Sequence, residues 1–254
     1  MIRFSVCIET IFAALPIGER FELAAGCGAT AVEFRSARDK DLDEIARAKE
    51  ASGVDIAAFL GLDDNLPNDP ATADEAAAEL LASIGAAREI GATGLVIKAG
   101  REIEGVPRKE QIETLTRMIK MAAPAAQKAH VTLLLEPVNA RIDHPGALLT
   151  TTPETLEIID AAGEPNVKML FDIYHQYVTE GTVLDSIESY IDRIGHFHLA
   201  DVPGRGEPGT GAVDFGELFG LIDSLRYEGL VGLKFSPTAD HADAVTRVIE
   251  LSSI

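Results

Sequence analysis

The sequence predicts an α/β fold, a single (β/α)8 TIM barrel spanning residues 1–254. Three observations carry that expectation. Eight short runs rich in apolar and β-branched residues alternate with longer Ala- and Leu-rich segments, whose apolar residues recur every three or four positions. The alternation fills 254 residues with no linker, internal repeat or low-complexity tract. No G-x-G-x-x-G follows the first run, which argues against a doubly wound open sheet.

The elements follow in order. "RFSVCI" (3–8) alternates like a strand, and "AVEFR" (31–35) and "DIAAFLG" (55–61) give the second and third strands. "DEAAAELLASIGAAREIGA" then has helical spacing, with Thr72 and Glu75 reading as a capping box before it. "GLVIKAG" (94–100) is the fourth strand, and "EQIETLTRMIKMAAPAAQKA" the helix after it. "VTLLLEPV" (131–138) is the fifth strand; Thr152, Pro153 and Glu154 then signal a helix start. "KMLFDIY" (168–174) and "IGHFHLAD" (194–201) are the sixth and seventh strands, Asp214 caps "FGELFGLIDSL", and "LVGLKFS" (230–236) is the eighth strand.

Composition narrows the function. Hydrophobic residues make up 46%, enough for a sizeable core. No apolar stretch reaches the roughly 18 to 20 residues of a membrane span, and "MIRFSVCIET" lacks a signal peptide's basic start and long apolar centre. Cys7 and Cys27 are too few for a disulfide framework, so a reducing cytoplasm is expected. The net charge of −19 leaves no basic footprint for a nucleic-acid backbone or an anionic membrane. The partner expected is a small molecule, and a homo-oligomer is left open.

A barrel places its chemistry at the C-terminal ends of the strands. There the sequence offers Glu136 after three leucines, Asp172 with His175 three residues on, and His196 and His198 on one face of strand seven. Two carboxylates and an imidazole on strands five to seven can converge on a divalent cation such as Mg²⁺, Mn²⁺ or Zn²⁺. Each has a plainer reading: Glu136 as an ion-pair partner of Arg141 or a lysine, His196 as a hydrogen-bonded core residue, Asp201 as a loop cap. The Gly- and Pro-rich loop 201–215 can wrap a small ligand, and Arg205 within it offers a bidentate clamp for a carboxylate.

"LLEPVNARIDHPG", "FDIYHQYVTEG", "RIGHFHLADVPGRGEPGTG" and "YEGLVGLKFSP", in that order and spacing, resemble the xylose isomerase-like TIM-barrel superfamily and, within it, the hydroxypyruvate isomerases. "RFSVCIETIF" and "GATAVEFR" agree more loosely. The resemblance implies aldose–ketose isomerisation of a small hydroxy-oxo acid or sugar through an enediolate. It implies a divalent ion, Mg²⁺ or Mn²⁺, held at Glu136, Asp172, His198 and the strand-eight position, with Glu136 moving the proton and His175 and Arg205 near the substrate. The DNA-repair endonucleases of the same superfamily use many His ligands and grip phosphates; six His and a charge of −19 set that reading aside.

The strand-eight position, where the family carries its second glutamate, is Lys234. Cys7 stands where relatives usually have Asn, Gly206 where they have His, and Lys98 interrupts "LVIKAG". An ammonium cannot ligate a cation and repels it, so metal affinity is expected to be weakened or lost. Three readings stay open: a metal held by Glu136, Asp172 and His198 alone; Lys234 and Lys98 acting as the positive charge, toward an enolate or by a Schiff base; or a catalytically silent binding relative. Lys98 is also placed among the substrate-binding residues.

Overall fold

A computed structural model of the protein describes residues 2–62 and 67–252. The eight apolar runs form β1 (Arg3–Cys7), β2 (Ala31–Glu33), β3 (Asp55–Leu60), β4 (Ala92–Lys98), β5 (Thr132–Glu136), β6 (Val167–Asp172), β7 (Ile194–Leu199) and β8 (Leu230–Leu233). They pair in parallel in sequence order, and β8 closes on β1. Parallel neighbours require a crossover, and helices supply it at every step. Several runs expected as strands extend past the ladder at their C-terminal ends. The reason is burial: Phe34, Val138, Tyr174 and Phe235 stay in the core after the last paired residue, so apolar pattern outlasts strand geometry.

Two apolar layers hold the barrel. The larger lies between sheet and helices and includes Phe21, Phe59, Phe171, Phe197 and Phe235. The smaller is a plug of Ala58, Val96, Leu134 and Leu170, one residue from each of β3 to β6. It excludes water beneath the strand ends, so any charged group above it faces the barrel mouth. Among the described residues no helix is long and apolar enough to cross a membrane.

The helix starts vary. Asp41 accepts from the Asp43 and Glu44 amides before the helix Leu42–Ser52, and Asp214 accepts from the Glu217 amide before Phe215–Ser224. Thr72 precedes the helix Ala73–Ile90, but its side chain makes no cap bond, so the expected capping box does not form. Thr152 is the first helical residue rather than the cap; Thr151 takes that place.

The loop after β7 is organised by Asp201. This buried carboxylate accepts from the amides of Val202 at 2.8 Å, Gly209 at 2.9 Å, Gly211 at 2.7 Å and Val213 at 3.1 Å. The plainer reading of Asp201 as a loop residue therefore describes it well. Asp201→Ala strands several of these donors. It is expected to cost about 3 kcal/mol or more, read as a lower urea midpoint, and an unchanged midpoint would contradict this account.

Candidate active site

Strand register brings the chemistry to one level. Cys7 lies opposite Glu33, Lys98 opposite Glu136, and Asp172 opposite His198. Lys234 follows β8 directly, its amide bonded to the Leu199 carbonyl at 3.1 Å. Period-two alternation points these side chains into the mouth above the apolar plug.

Glu136 is the centre, with 1% of its surface exposed. Its Oε1 faces Lys234 Nζ at 3.4 Å and His198 Nδ1 at 3.4 Å. Its Oε2 makes no hydrogen bond among the described residues and faces Lys98 Nζ at 3.7 Å. Burial alone would raise the Glu136 pKa, but Lys234 and then Lys98 outweigh it and hold the carboxyl well below the usual range. Burial likewise opposes the Lys234 ammonium, yet Glu136 and Asp172 carry its pKa above the ordinary lysine value. Lys98 goes the other way. Glu136 supports its charge, but burial, Lys234 and Arg205 together lower its pKa.

Asp172 ends β6 and caps the helix Ile173–Glu180, accepting from the His175 amide at 3.0 Å. Arg205 Nη2 donates to its other oxygen at 2.5 Å. Burial would raise this carboxyl, but Arg205 and His175 hold it at about 2. Arg205 sits at φ 57°, a left-handed conformation that costs a side-chain-bearing residue about 1 to 3 kcal/mol. Its anchors explain why that conformation persists: Nε donates to the Lys234 carbonyl at 3.3 Å, the Ser236 amide donates to the Arg205 carbonyl at 2.8 Å, and the guanidinium lies 5.0 Å over the Tyr174 ring. His175 packs between Arg205 and Asn139, whose Nδ2 is 2.7 Å from His175 Nδ1. Burial, against Asp172, pushes His175 down to about 4, so it is neutral at pH 7.

Sequence reasoning missed Glu33. This buried carboxylate accepts from Ser5 Oγ and from both imidazoles of β7, His196 Nε2 at 2.8 Å and His198 Nε2 at 2.8 Å. The signal was present, because "AVEF" carries one charged residue in an apolar strand end, as "LVGLKF" does. Ser5 and Asn139 carried no such signal.

The mouth opens into a cavity of about 570 Å³. Its lining includes Lys98, Lys234, His198 and Glu33 together with the apolar Phe34, Phe59, Leu60 and Val96. Cys7 also lines it, but burial and Glu33 push its thiol up, which keeps it a poor nucleophile. Two sets of donors have ligand atoms within 4.8 Å of one another and could hold a metal ion: Glu33, His196 and His198, and Glu136, Asp172 and His175. The second set differs from the expected one by taking His175; His198 Nδ1 nevertheless lies 3.8 Å from Asp172 Oδ2.

The family model described as "Xylose isomerase-like TIM barrel" matches residues 21–250. The chain belongs to this family. It is 34% identical over 253 residues to the hydroxypyruvate isomerase of Escherichia coli (strain K12), covering 93% of this chain and 94% of that one. It is 31% identical to the 2-oxo-tetronate isomerase of Cupriavidus necator, covering 94% of each. A crystal structure from Brucella melitensis, described as an AP endonuclease of family 2, superposes with a TM-score of 0.92 at 27% identity, over 98% of this chain and 99% of that one. In this family member the strand ends carry three carboxylates, Glu33, Glu136 and Asp172, against Lys98, Lys234 and Arg205.

One consequence is measurable without a substrate. His175 titrates at about 4 in the fold and at about 6.5 in an unfolded chain. As pH falls, the unfolded chain takes the proton first. The stability tied to neutral His175 is therefore intact above about pH 6.5 and lost toward pH 4, on the order of 3 kcal/mol. Urea midpoints should fall across that window, less steeply in His175→Asn; equal slopes would contradict the assignment.

Proposed function

We propose that the protein isomerises a short hydroxy-oxo acid, moving a carbonyl by one carbon through an enediolate, with Lys234 and Lys98 as the positive charge of the site. One observation carries this reading: Lys234 Nζ lies 3.4 Å from Glu136 Oε1 and 3.3 Å from His198 Nδ1, where the resemblance expects a cation. The relatives' names support the reaction class.

A divalent ion does not fit this set of charges while Lys234 is protonated. Asp172 is already matched by Arg205, and each unit of like charge at about 4 Å costs about 4 kcal/mol at an effective dielectric near 20. No step is therefore routed through a metal. Glu136 Oε2, which accepts no hydrogen bond among the described residues, removes the proton from the carbon beside the carbonyl. Negative charge gathers on the carbonyl oxygen, where the ammonium groups stabilise it. Glu136 then returns the proton to the neighbouring carbon, while the hydroxyl proton passes from its oxygen to the former carbonyl oxygen, so that the carbonyl moves by one carbon and nothing is gained or lost. A carboxylate this acidic is a weak base, so the same cations must acidify the substrate's C–H bond. Arg205 and His175 hold the oxygens of the acid.

A Schiff base does not deliver this product. Shifting an imine by one carbon leaves nitrogen where the product needs oxygen, so the lysines act here by charge and not by covalent attachment.

Proton NMR in D2O with hydroxypyruvate, and with the four-carbon 2-oxo-tetronate, tests the reaction. Wild type should exchange the carbon-bound proton and form the isomer, and Glu136→Gln should lose at least 100-fold. Absence of exchange with both acids would leave a binding protein instead. The charge assignment has its own test by calorimetry: Lys234→Glu should bind Mn²⁺ at least tenfold more tightly than wild type. A stoichiometric ion in wild type on which its activity depends would overturn the role given to Lys234.

A further inference from the structure

β8 ends at Leu233, and the next helix begins at His241. The segment between them carries Lys234 and runs along the end of β7 and the loop after it, bonded at every second residue. The Lys234 amide donates to the Leu199 carbonyl at 3.1 Å, and the Ser236 amide to the Arg205 carbonyl at 2.8 Å. The Thr238 amide then donates to Glu207 Oε2 at 3.0 Å, and Thr238 Oγ1 to Glu207 Oε1 at 2.8 Å.

The last contact differs in kind from the first two. Those join backbone to backbone, and any residue but proline can make them. The third needs a side chain with two acceptor oxygens, because both of them grip one threonine. Glu207 is 5% exposed and takes no part in the steps above. It also stands on a fixed base: the Asp201 amide donates to the Gly206 carbonyl at 2.9 Å, and Thr210 Oγ1 to the Glu207 carbonyl at 2.7 Å. Arg205 depends on the segment so gripped. Its carbonyl accepts from Ser236, its Nε donates to the Lys234 carbonyl at 3.3 Å, and its φ of 57° relaxes unless such contacts hold it.

We propose that Glu207 is a positioning residue: by gripping Thr238 it fixes the segment after β8, which holds Arg205 in the backbone conformation from which its guanidinium reaches Asp172 and the substrate acid. Ser236 and Thr238 are both exposed, so burial does not replace the grip once it is lost. Arg205 then leaves its left-handed conformation, and the guanidinium moves off Asp172. Lys234 keeps its own amide bond to Leu199. The loss therefore falls on binding of the acid and spares the charge beside Glu136. This kinetic consequence rests on the isomerase reading; the hold on Arg205 does not.

The test joins spectroscopy to kinetics. In ¹⁵N NMR of labelled arginines, the Nε–H signal that Arg205→Lys removes should be dispersed and slow to exchange in wild type. It should move to the position of solvent-exposed arginines in Glu207→Ala and in Thr238→Val, an exposed-site change that leaves the core intact. With hydroxypyruvate, Glu207→Ala should raise KM at least tenfold with kcat changed less than threefold. Glu207→Gln, which keeps one acceptor, should recover part of KM. In an Arg205→Ala background, Glu207→Ala should change KM less than threefold further, because its effect passes through Arg205. An Arg205 signal unmoved in both Glu207→Ala and Thr238→Val, KM effects that multiply in the double variant, or a fall in kcat at constant KM would overturn the proposal. Wild type that exchanges no substrate proton would sink the isomerase reading, while the Arg205 signal still decides what Glu207 holds.

Discussion

Glu136 is an ionised carboxylate at the bottom of the barrel mouth, and the rest of the site follows from what it takes to keep that charge there. An uncompensated carboxylate in such a place costs several kcal/mol. Here the compensation comes from side chains of this chain: Lys234 and His198 at one oxygen, Lys98 at the other. An ion pair of this kind contributes little net stability, because desolvation takes back most of the Coulomb gain. It concentrates positive potential beside an oxygen that has no hydrogen bond among the described residues.

The same accounting runs through the neighbouring strands. Asp172 is matched by Arg205, and Arg205 is held in a left-handed backbone by the Lys234 carbonyl and the Ser236 amide. The loop that carries Arg205 is in turn tied to Asp201. Glu33 closes the set on the far side, through His198. Three carboxylates and three cations thus form one coupled unit resting on an apolar plug, so changing any one group shifts the charge balance of all of them.

Family membership and charge pattern pull in different directions. The family match spans most of the chain and the two relatives from Escherichia coli and Cupriavidus necator are isomerases by name, whereas the strand-eight lysine departs from the pattern that resemblance led one to expect. The role proposed for Lys234 would reconcile the two, since its ammonium stands at the Glu136 oxygen where the resemblance expects a metal ion. A four-residue β8 ending just before Lys234 keeps this amine at the mouth rather than in the sheet, and Gly232 beside it leaves room for the imidazoles.

Hydrophobic alternation in the sequence determined the eight strands, their order and the level at which chemistry sits, because a parallel barrel with helical crossovers is the closed arrangement that buries that pattern. It also exposed Glu136, Asp172, His198 and Lys234, since a charge at an apolar strand end has no local reason to be there. Glu33 carried the same signal and was passed over; Ser5 and Asn139 carried none. Tertiary structure alone decided the pairings: which oxygen of Glu136 meets which lysine, that Arg205 takes Asp172, that His198 bridges Glu33 and Glu136. Those contacts join residues up to 165 positions apart in the chain, and they depend on strand register and side-chain direction in three dimensions, which local sequence pattern does not encode.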